Sequence, residues 1–213
     1  LIQTKSNNHL PGGIEKEYVA YNFVGQPIRR KHVHSASGKS TQTEVYSYTY
    51  DHTGRLLTTT HQLNDGSPVV LVSNEYDELG RLKSNSRNGL SNLKTVYTYN
   101  VRSWVKSITC PLFNVSLYYN DRRPNGTNVS CYNGNISGID WNVSSDKARG
   151  YNFSYDNLSR LTGASYLEGN TPSDKFSTSY SYDKHGNILS LTRHGNIGTT
   201  TYGVIDNLIM GYD

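Results

Sequence analysis

The 213-residue chain has only two cysteines, one methionine, two tryptophans and four phenylalanines. Cys110 and Cys131 allow one disulfide or two free thiols, and their spacing does not choose between them. No stretch of eighteen apolar residues occurs, so a transmembrane helix is excluded. Hydrophobic residues make up 34% of the chain, which is low for a compact core and points to a sheet with wet faces. No segment carries a helical period with caps. A formal net charge of +4 is too small to argue for nucleic acid. The one basic run, Arg29-Arg30-Lys31, lies in an expected strand, where alternation splits it between the two faces. No acid, base and nucleophile stand apart from the repeating pattern described next. The expectation is therefore no enzyme, with no catalytic, cofactor-binding or metal residue assigned.

What the chain does have is tyrosine, eighteen of them, with abundant Ser, Thr, Asn and Gly. Tyrosine suits a two-faced wall, because its ring packs while its hydroxyl still reaches a partner. The tyrosines introduce a repeat: Tyr50-Asp51-His52-Thr53-Gly54-Arg55-Leu56 returns as Tyr76-Asp77-Glu78-Leu79-Gly80-Arg81-Leu82. It returns again as Tyr155-Asp156-Asn157-Leu158-Ser159-Arg160-Leu161 and as Tyr182-Asp183-Lys184-His185-Gly186-Asn187-Ile188. Looser copies begin at Tyr21-Asn22, Tyr99-Asn100, Tyr119-Asn120, Tyr132-Asn133 and Tyr202-Gly203. A period of this kind indicates a repeat architecture.

The motif reads as a β-hairpin. Asp opens a type I turn by accepting backbone N–H groups, and Gly at the fourth position supplies the left-handed conformation of a closing bulge. With His52, Thr53 and Gly54 as the loop, Asp51 faces Arg55 and Tyr50 faces Leu56. Alternation places Tyr46, Tyr48 and Tyr50 on one face, and likewise Tyr97 with Tyr99 and Tyr180 with Tyr182. Tyr46, Tyr48, Tyr97, Tyr99 and Tyr180 are the candidate glycan-facing rings, since aromatic faces pack on sugars.

These motifs resemble the YD repeat of the Rhs family of bacterial surface and toxin-associated proteins, relatives of the teneurin and toxin-complex shells. The resemblance implies a non-catalytic segment of a secreted or cell-surface shell that encloses or displays another part of its polypeptide. Its implied partners are flanking repeats and an encapsulated C-terminal segment. The alternative is a carbohydrate-binding module using the tyrosine-rich face. The family's autoproteolytic aspartate segment has no counterpart here. The fold class expected is all-β: repeated antiparallel hairpins in a long curved meander sheet, an arc of a shell or an open barrel-like sheet.

Residues 1–213 read as one array: the tail of a preceding repeat (1–17), regular repeats (18–105), degenerate repeats (106–150) and regular repeats again (151–213). Both ends read as cut from a longer chain, with any signal sequence elsewhere, and the terminal strands are expected to pair edge to edge with other copies or to curl and be shielded by loops. His32 and His34 share a strand face at a spacing metal ligands use, but no third ligand is evident, and a solvent-facing strand is the simpler reading. The tryptophans are expected to pack under defective turns. Seven Asn-x-Ser/Thr sequons, from Asn114 to Asn157, matter only in a glycosylating secretory pathway.

Overall fold

The computed structural model describes residues 2–124, 127–144, 146–169 and 171–212. The sequon at Asn125, the turn residue Gly126 and the terminal Asp213 lie outside the described residues.

The protein is all-β, an open and unclosed antiparallel meander. It divides into two compact units between Val96 and Tyr97, inside the eighth strand. The first unit contains β1 (Ile2–Asn7), β2 (Ile14–Tyr21), β3 (Pro27–Ser35), β4 (Gln42–Tyr50), β5 (Leu56–Leu63), β6 (Val69–Tyr76), β7 (Leu82–Arg87) and the start of β8 (Thr95–Tyr99). Each strand pairs antiparallel with its predecessor.

The second unit contains the rest of β8, then β9 (Val105–Thr109), β10 (Phe113–Tyr118), β11 (Gly138–Val143), β12 (Arg149–Tyr155) and β13 (Leu161–Glu168). After the two-residue β14 (Thr171–Pro172) come β15 (Thr178–Tyr182), β16 (Ile188–Asn196) and β17 (Tyr202–Ile209). Pairing again follows chain order, except that β15 returns to β13 past β14.

The tyrosine motifs fall at alternate turns, as their spacing predicts. Tyr50 pairs with Leu56, Tyr76 with Leu82, Tyr155 with Leu161 and Tyr182 with Ile188. Gly54, Gly80 and Gly186 sit at φ 83°, 81° and 94°, in the left-handed region that a residue with a Cβ enters at a cost. Ser103 and Ser159 take φ 62° at the same position. The copies with Ser in place of Gly therefore keep the turn and carry the strain.

The copy read at Tyr202 is overturned. Tyr202–Ile209 is one uninterrupted strand, and the reversal before it runs through Ile197–Thr201, closed by Ile197 N–H donating to the Thr201 carbonyl at 3.0 Å. Gly203 stands where Asp would have opened a turn, and Asp206 instead pairs across the strands with Arg193 at 2.7 Å.

The interior is thin, as the composition implied. Among the described residues, Val45, Tyr119, Ala164, Tyr166 and Leu167 are the buried hydrophobic ones. Tyr166 anchors a chain of rings in the second unit. Its centroid lies 5.4 Å from Tyr151 and 5.1 Å from Phe176, which in turn lies 5.4 Å from Tyr202. Cys110 and Cys131 are both free thiols.

Candidate functional site

The recurring turn is where the chain concentrates its polar chemistry. In each clean copy one carboxylate oxygen accepts two backbone N–H groups and the other takes the side chain four residues on. Asp51 Oδ1 accepts from Thr53 N and Arg55 N, each at 2.9 Å, while Oδ2 takes Arg55 Nε at 2.6 Å. Asp77 and Asp156 do the same with Arg81 and Arg160, at 2.7 and 2.6 Å. Asp183 uses Asn187 Nδ2 at 2.9 Å. Where Asn replaces Asp the backbone half survives: Asn22 accepts from Val24 N and Gln26 N, and Asn100 from Arg102 N and Trp104 N.

The clamp sets the carboxylates' acidity. At Asp51 partial desolvation pushes the pKa up. The Arg55 and Thr53 N–H groups, the Thr53 hydroxyl and the Arg55 guanidinium outweigh it and hold the group well below the usual carboxylate range. Asp77 and Asp183 show the same contest with the same outcome. For Asp156 the Arg160 backbone N–H is the largest influence, and the pKa is again lowered.

At six positions a tyrosine next to a turn acts on the hairpin before it. Each ladder between hairpins stops short of the earlier turn. β5 and β6 pair as far as Thr58 and Ser73, which leaves the Leu56 carbonyl two residues beyond without a strand partner. Tyr76 Oη and Asn74 Nδ2 both donate to it at 3.0 Å. The rule holds across the chain: Tyr50 donates to Pro27 (2.8 Å), Tyr155 to Ile136 (2.8 Å), Tyr182 to Leu161 (2.7 Å) and Tyr212 to Ile188 (2.9 Å). Tyr119, which opens one of the looser copies, donates to Val105 at 3.1 Å. In every case the acceptor lies two residues past the last paired position of its ladder. A side-chain hydroxyl thus satisfies a carbonyl that strand pairing has abandoned.

Register also shifts immediately before five of the motif tyrosines, at Ala20/Tyr21, Thr49/Tyr50, Glu75/Tyr76, Ser154/Tyr155 and Ser181/Tyr182. This second irregularity places an extra residue in the return strand and raises the local twist. Alternation alone gave no sign of it.

A third link runs forward. The residue five past the tyrosine reaches the next turn: Gln26 Nε2 donates to the Gly54 carbonyl at 2.7 Å and Arg160 donates to the Asp183 carbonyl at 2.7 Å. Arg55 and Arg160 lie over the rings of Tyr76 and Tyr182, at 4.7 and 4.8 Å from the centroids. Where they occur, clamp, latch and forward arm make a turn depend on its neighbours.

Sequence reasoning missed the device that covers the degenerate region. Arg123, 4% exposed, forms a buried ion pair with Asp140 and donates to Asn152 Oδ1 at 2.8 Å. Asn128 holds the loop: its Oδ1 accepts from Arg123 N at 2.7 Å and its Nδ2 donates to Ser137 Oγ at 2.7 Å. Gly138 and Gly150 clear the space, since a Cβ at Gly150 would lie 2.5 Å from the Arg123 guanidinium and 2.6 Å from the Ile139 carbonyl. The sequon asparagine Asn128 is therefore buried and fully engaged. The visible signal was glycines in strands, which mark close approach.

Trp104 packs as expected, 4.9 Å from Tyr119 and against the turn at Gly134. Tyr46, Tyr48, Tyr97, Tyr99 and Tyr180 are half-buried rather than open. His32 and His34 are half-buried too and share Glu15: His32 Nε2 lies 2.8 Å from one carboxylate oxygen, and His34 Nδ1 contacts the other. A hydrogen bond from Asn8, opposed by desolvation and aided by the two histidines, lowers the Glu15 pKa. Among the described residues, no three His, Cys, Asp or Glu side chains are arranged to hold a metal.

No family model matches this chain, and no curated protein does. Among solved structures, a chain of the TcdB2–TccC3–Cdc42 crystal structure is similar at 12% identity and a TM-score of 0.34, over 87% of this chain and 13% of that one. A porin-like protein from Bacteroides uniformis is similar at 9% identity and a TM-score of 0.31, over 98% of this chain and 96% of the other. The protein spans about an eighth of the first of these. Likeness at this level assigns neither family nor function.

Proposed function

We propose that this chain is a non-catalytic structural array of the YD-repeat type. It would serve as a segment of a secreted or cell-surface, Rhs-like shell that encloses or displays another part of its polypeptide. The observation that supports this reading is the latch: Tyr50, Tyr76, Tyr119, Tyr155, Tyr182 and Tyr212 are each spent on the preceding hairpin, and the forward arms of Gln26 and Arg160 on the next turn. Groups committed to joining identical units build a wall, and nearest-neighbour joints are what a repeat array runs on. The repeated carboxylates are likewise occupied, with both oxygens of Asp51, Asp77, Asp156 and Asp183 engaged inside their own turns. A general acid or base needs a free oxygen directed at a substrate.

The test is limited proteolysis of the natural polypeptide that contains this array, with a cleavage site engineered into the segment proposed as cargo. Enclosure predicts that the site stays uncut while the array is intact, and that Tyr155→Phe/Tyr182→Phe speeds its cleavage. Cleavage at the same rate in both would overturn enclosure.

A further inference from the structure

We infer that the tips of the motif turns dock this chain on an anionic membrane surface, dipping into the lipid without crossing it. This goes beyond the shell reading and does not depend on it. In an antiparallel meander, successive turns alternate between two ends. The turns after β2, β4 and β6 therefore share one end of the first unit. Those after β8, β10, β12 and β15 share one end of the second, because β14 sits inside the turn from β13 to β15. At these ends large apolar side chains stand out in water: Phe23, Val24 and Leu79 in the first unit, Val101, Tyr132 and Leu158 in the second. Their exposure runs from 68% at Tyr132 and Leu158 to complete at Phe23 and Val101. In turns at the opposite ends Leu90, Leu112 and Ile197 reach only 48%, 55% and 57%.

The turn itself does not require these side chains. The same two loop positions hold His52-Thr53 and Lys184-His185 in other copies, with the clamp unchanged. A single exposed apolar residue is ordinary, but here they recur at corresponding tips of one end. Within the second unit the tips are also tied into a line. Arg102 Nη1 donates to the Tyr132 carbonyl at 2.6 Å, and Asn133 Nδ2 donates to Ser159 Oγ at 2.8 Å.

Three features fit lipid better than a folded partner. Neighbouring tips lie two strands apart, roughly 10 Å, with the polar Asn133 and Asn157 beside them. They form a row of separate apolar points, not the continuous patch that a protein interface buries. Headgroups can close around each point while its side chain reaches the acyl boundary, a level that suits Tyr132. The backbone of the tips is also prepared for a poorly hydrated layer. Asn22, Asp77, Asn100 and Asp156 each accept two loop N–H groups, and Asn133 accepts one, so these donors do not need water. Charge completes the match in the second unit. Arg102 and Lys184 are exposed in its tips, while the carboxylates there, Asp156 and Asp183, are engaged inside their own turns. Cations beside apolar tips favour anionic headgroups.

Vesicle co-sedimentation of the full chain tests this, using phosphatidylcholine alone and phosphatidylcholine with about a third phosphatidylglycerol. We expect binding to the mixed vesicles at least fivefold stronger than to phosphatidylcholine, falling severalfold between about 50 and about 200 mM salt. Phe23→Ser/Val24→Ser/Val101→Ser/Leu158→Ser should weaken it at least tenfold. Arg102→Gln/Lys184→Gln should remove most of the preference for phosphatidylglycerol. Leu112→Ser, at the opposite end, should change binding less than twofold. Trp104, three residues past Val101, reports entry of the tip: brominated acyl chains should quench its emission in a Trp141→Phe background. The tip variants alter exposed positions outside the clamp, and circular dichroism matching the parent establishes that they fold. No binding to mixed vesicles, binding without quenching, tip variants that bind like the parent, or an equal loss in Leu112→Ser would each overturn the proposal. So would a parent that ignores vesicles but self-associates through its tips in sedimentation, which would make the row a contact between copies. Cargo enclosure is read by proteolysis and docking by vesicles, so either reading can fail alone.

Discussion

The Tyr182 hydroxyl donates to the carbonyl of Leu161 at 2.7 Å, twenty-one residues earlier and one hairpin back. The ladder between β13 and β15 ends at Gly163 and Ser179, so without this bond the Leu161 carbonyl would be left to water. A net hydrogen bond of this kind is worth about 1 kcal/mol. Tyr155→Phe and Tyr182→Phe should therefore each lower unfolding stability by about 1 kcal/mol in urea titrations. Tyr202→Phe removes a hydroxyl with no such role and should change little. Equal losses at all three positions would remove the latch from the account.

The turn glycines are not equivalent. A Cβ at Gly54 would stand 2.9 Å from Gln26 Nε2 and one at Gly80 2.9 Å from Arg55, whereas Gly186 has nothing within 4 Å. All three are left-handed, but only at the first two does the side chain from the preceding turn lie against the glycine itself, since Arg160 reaches the Asp183 carbonyl instead. Gly186→Ala should cost about 1 kcal/mol, the conformational penalty alone. Gly54→Ala and Gly80→Ala should cost more, and Gly54→Val about 2 kcal/mol or more. Thermal unfolding of the four variants gives the ranking.

The buried loop makes a separate prediction. Asn128→Ala strands the Arg123 N–H and the Ser137 hydroxyl in a buried site, which costs about 1–3 kcal/mol. Gly150→Ala forces Arg123 or the backbone at Ile139 to move and should cost a similar amount, about 1–3 kcal/mol. Both should leave the first unit's tyrosine fluorescence unchanged while loosening the environments of Trp104 and Trp141, read by tryptophan emission.

Acid should weaken the turns in a defined window. Asp51, Asp77, Asp156 and Asp183 have lowered pKa values in the folded chain. Carboxylates of this kind contribute fully above the unfolded value of about 3.9, and the contribution is lost as pH falls through the folded values. Unfolding midpoints should hold from pH 7 to about 5 and drop below about 4. Asp51→Asn, which keeps the backbone half of the clamp as Asn22 does, should flatten that drop. A variant with an undiminished acid transition would contradict the assignment.

The turn was the most legible part of the sequence. Its loop length, the Asp–Arg pair, the positive φ at glycine and the Tyr50–Leu56 pairing all follow from local chemistry, and local chemistry is written in seven consecutive residues. The links between turns were not legible, because a tyrosine and its acceptor lie on different hairpins and the acceptor is a backbone carbonyl with no sequence signature. The mistaken copy at Tyr202 shows the same limit. Spacing alone proposed a turn, but Gly203 has no carboxylate to close one, and Arg193–Asp206 pairing favours a continuous strand. The Arg123 site escaped for a further reason. Its partners Asn128, Asp140 and Asn152 lie 5, 17 and 29 residues along the chain and meet it only because Gly138 and Gly150 let the loop descend.

Native-state hydrogen exchange on Tyr182→Phe tests the central claim most directly, that hairpins are joined one to the next through their turn tyrosines. The account predicts faster exchange in β13, β15 and β16, with the amides of β4 and β5 protected as in the parent. A uniform loss across the whole chain, or no change around Leu161, would contradict it.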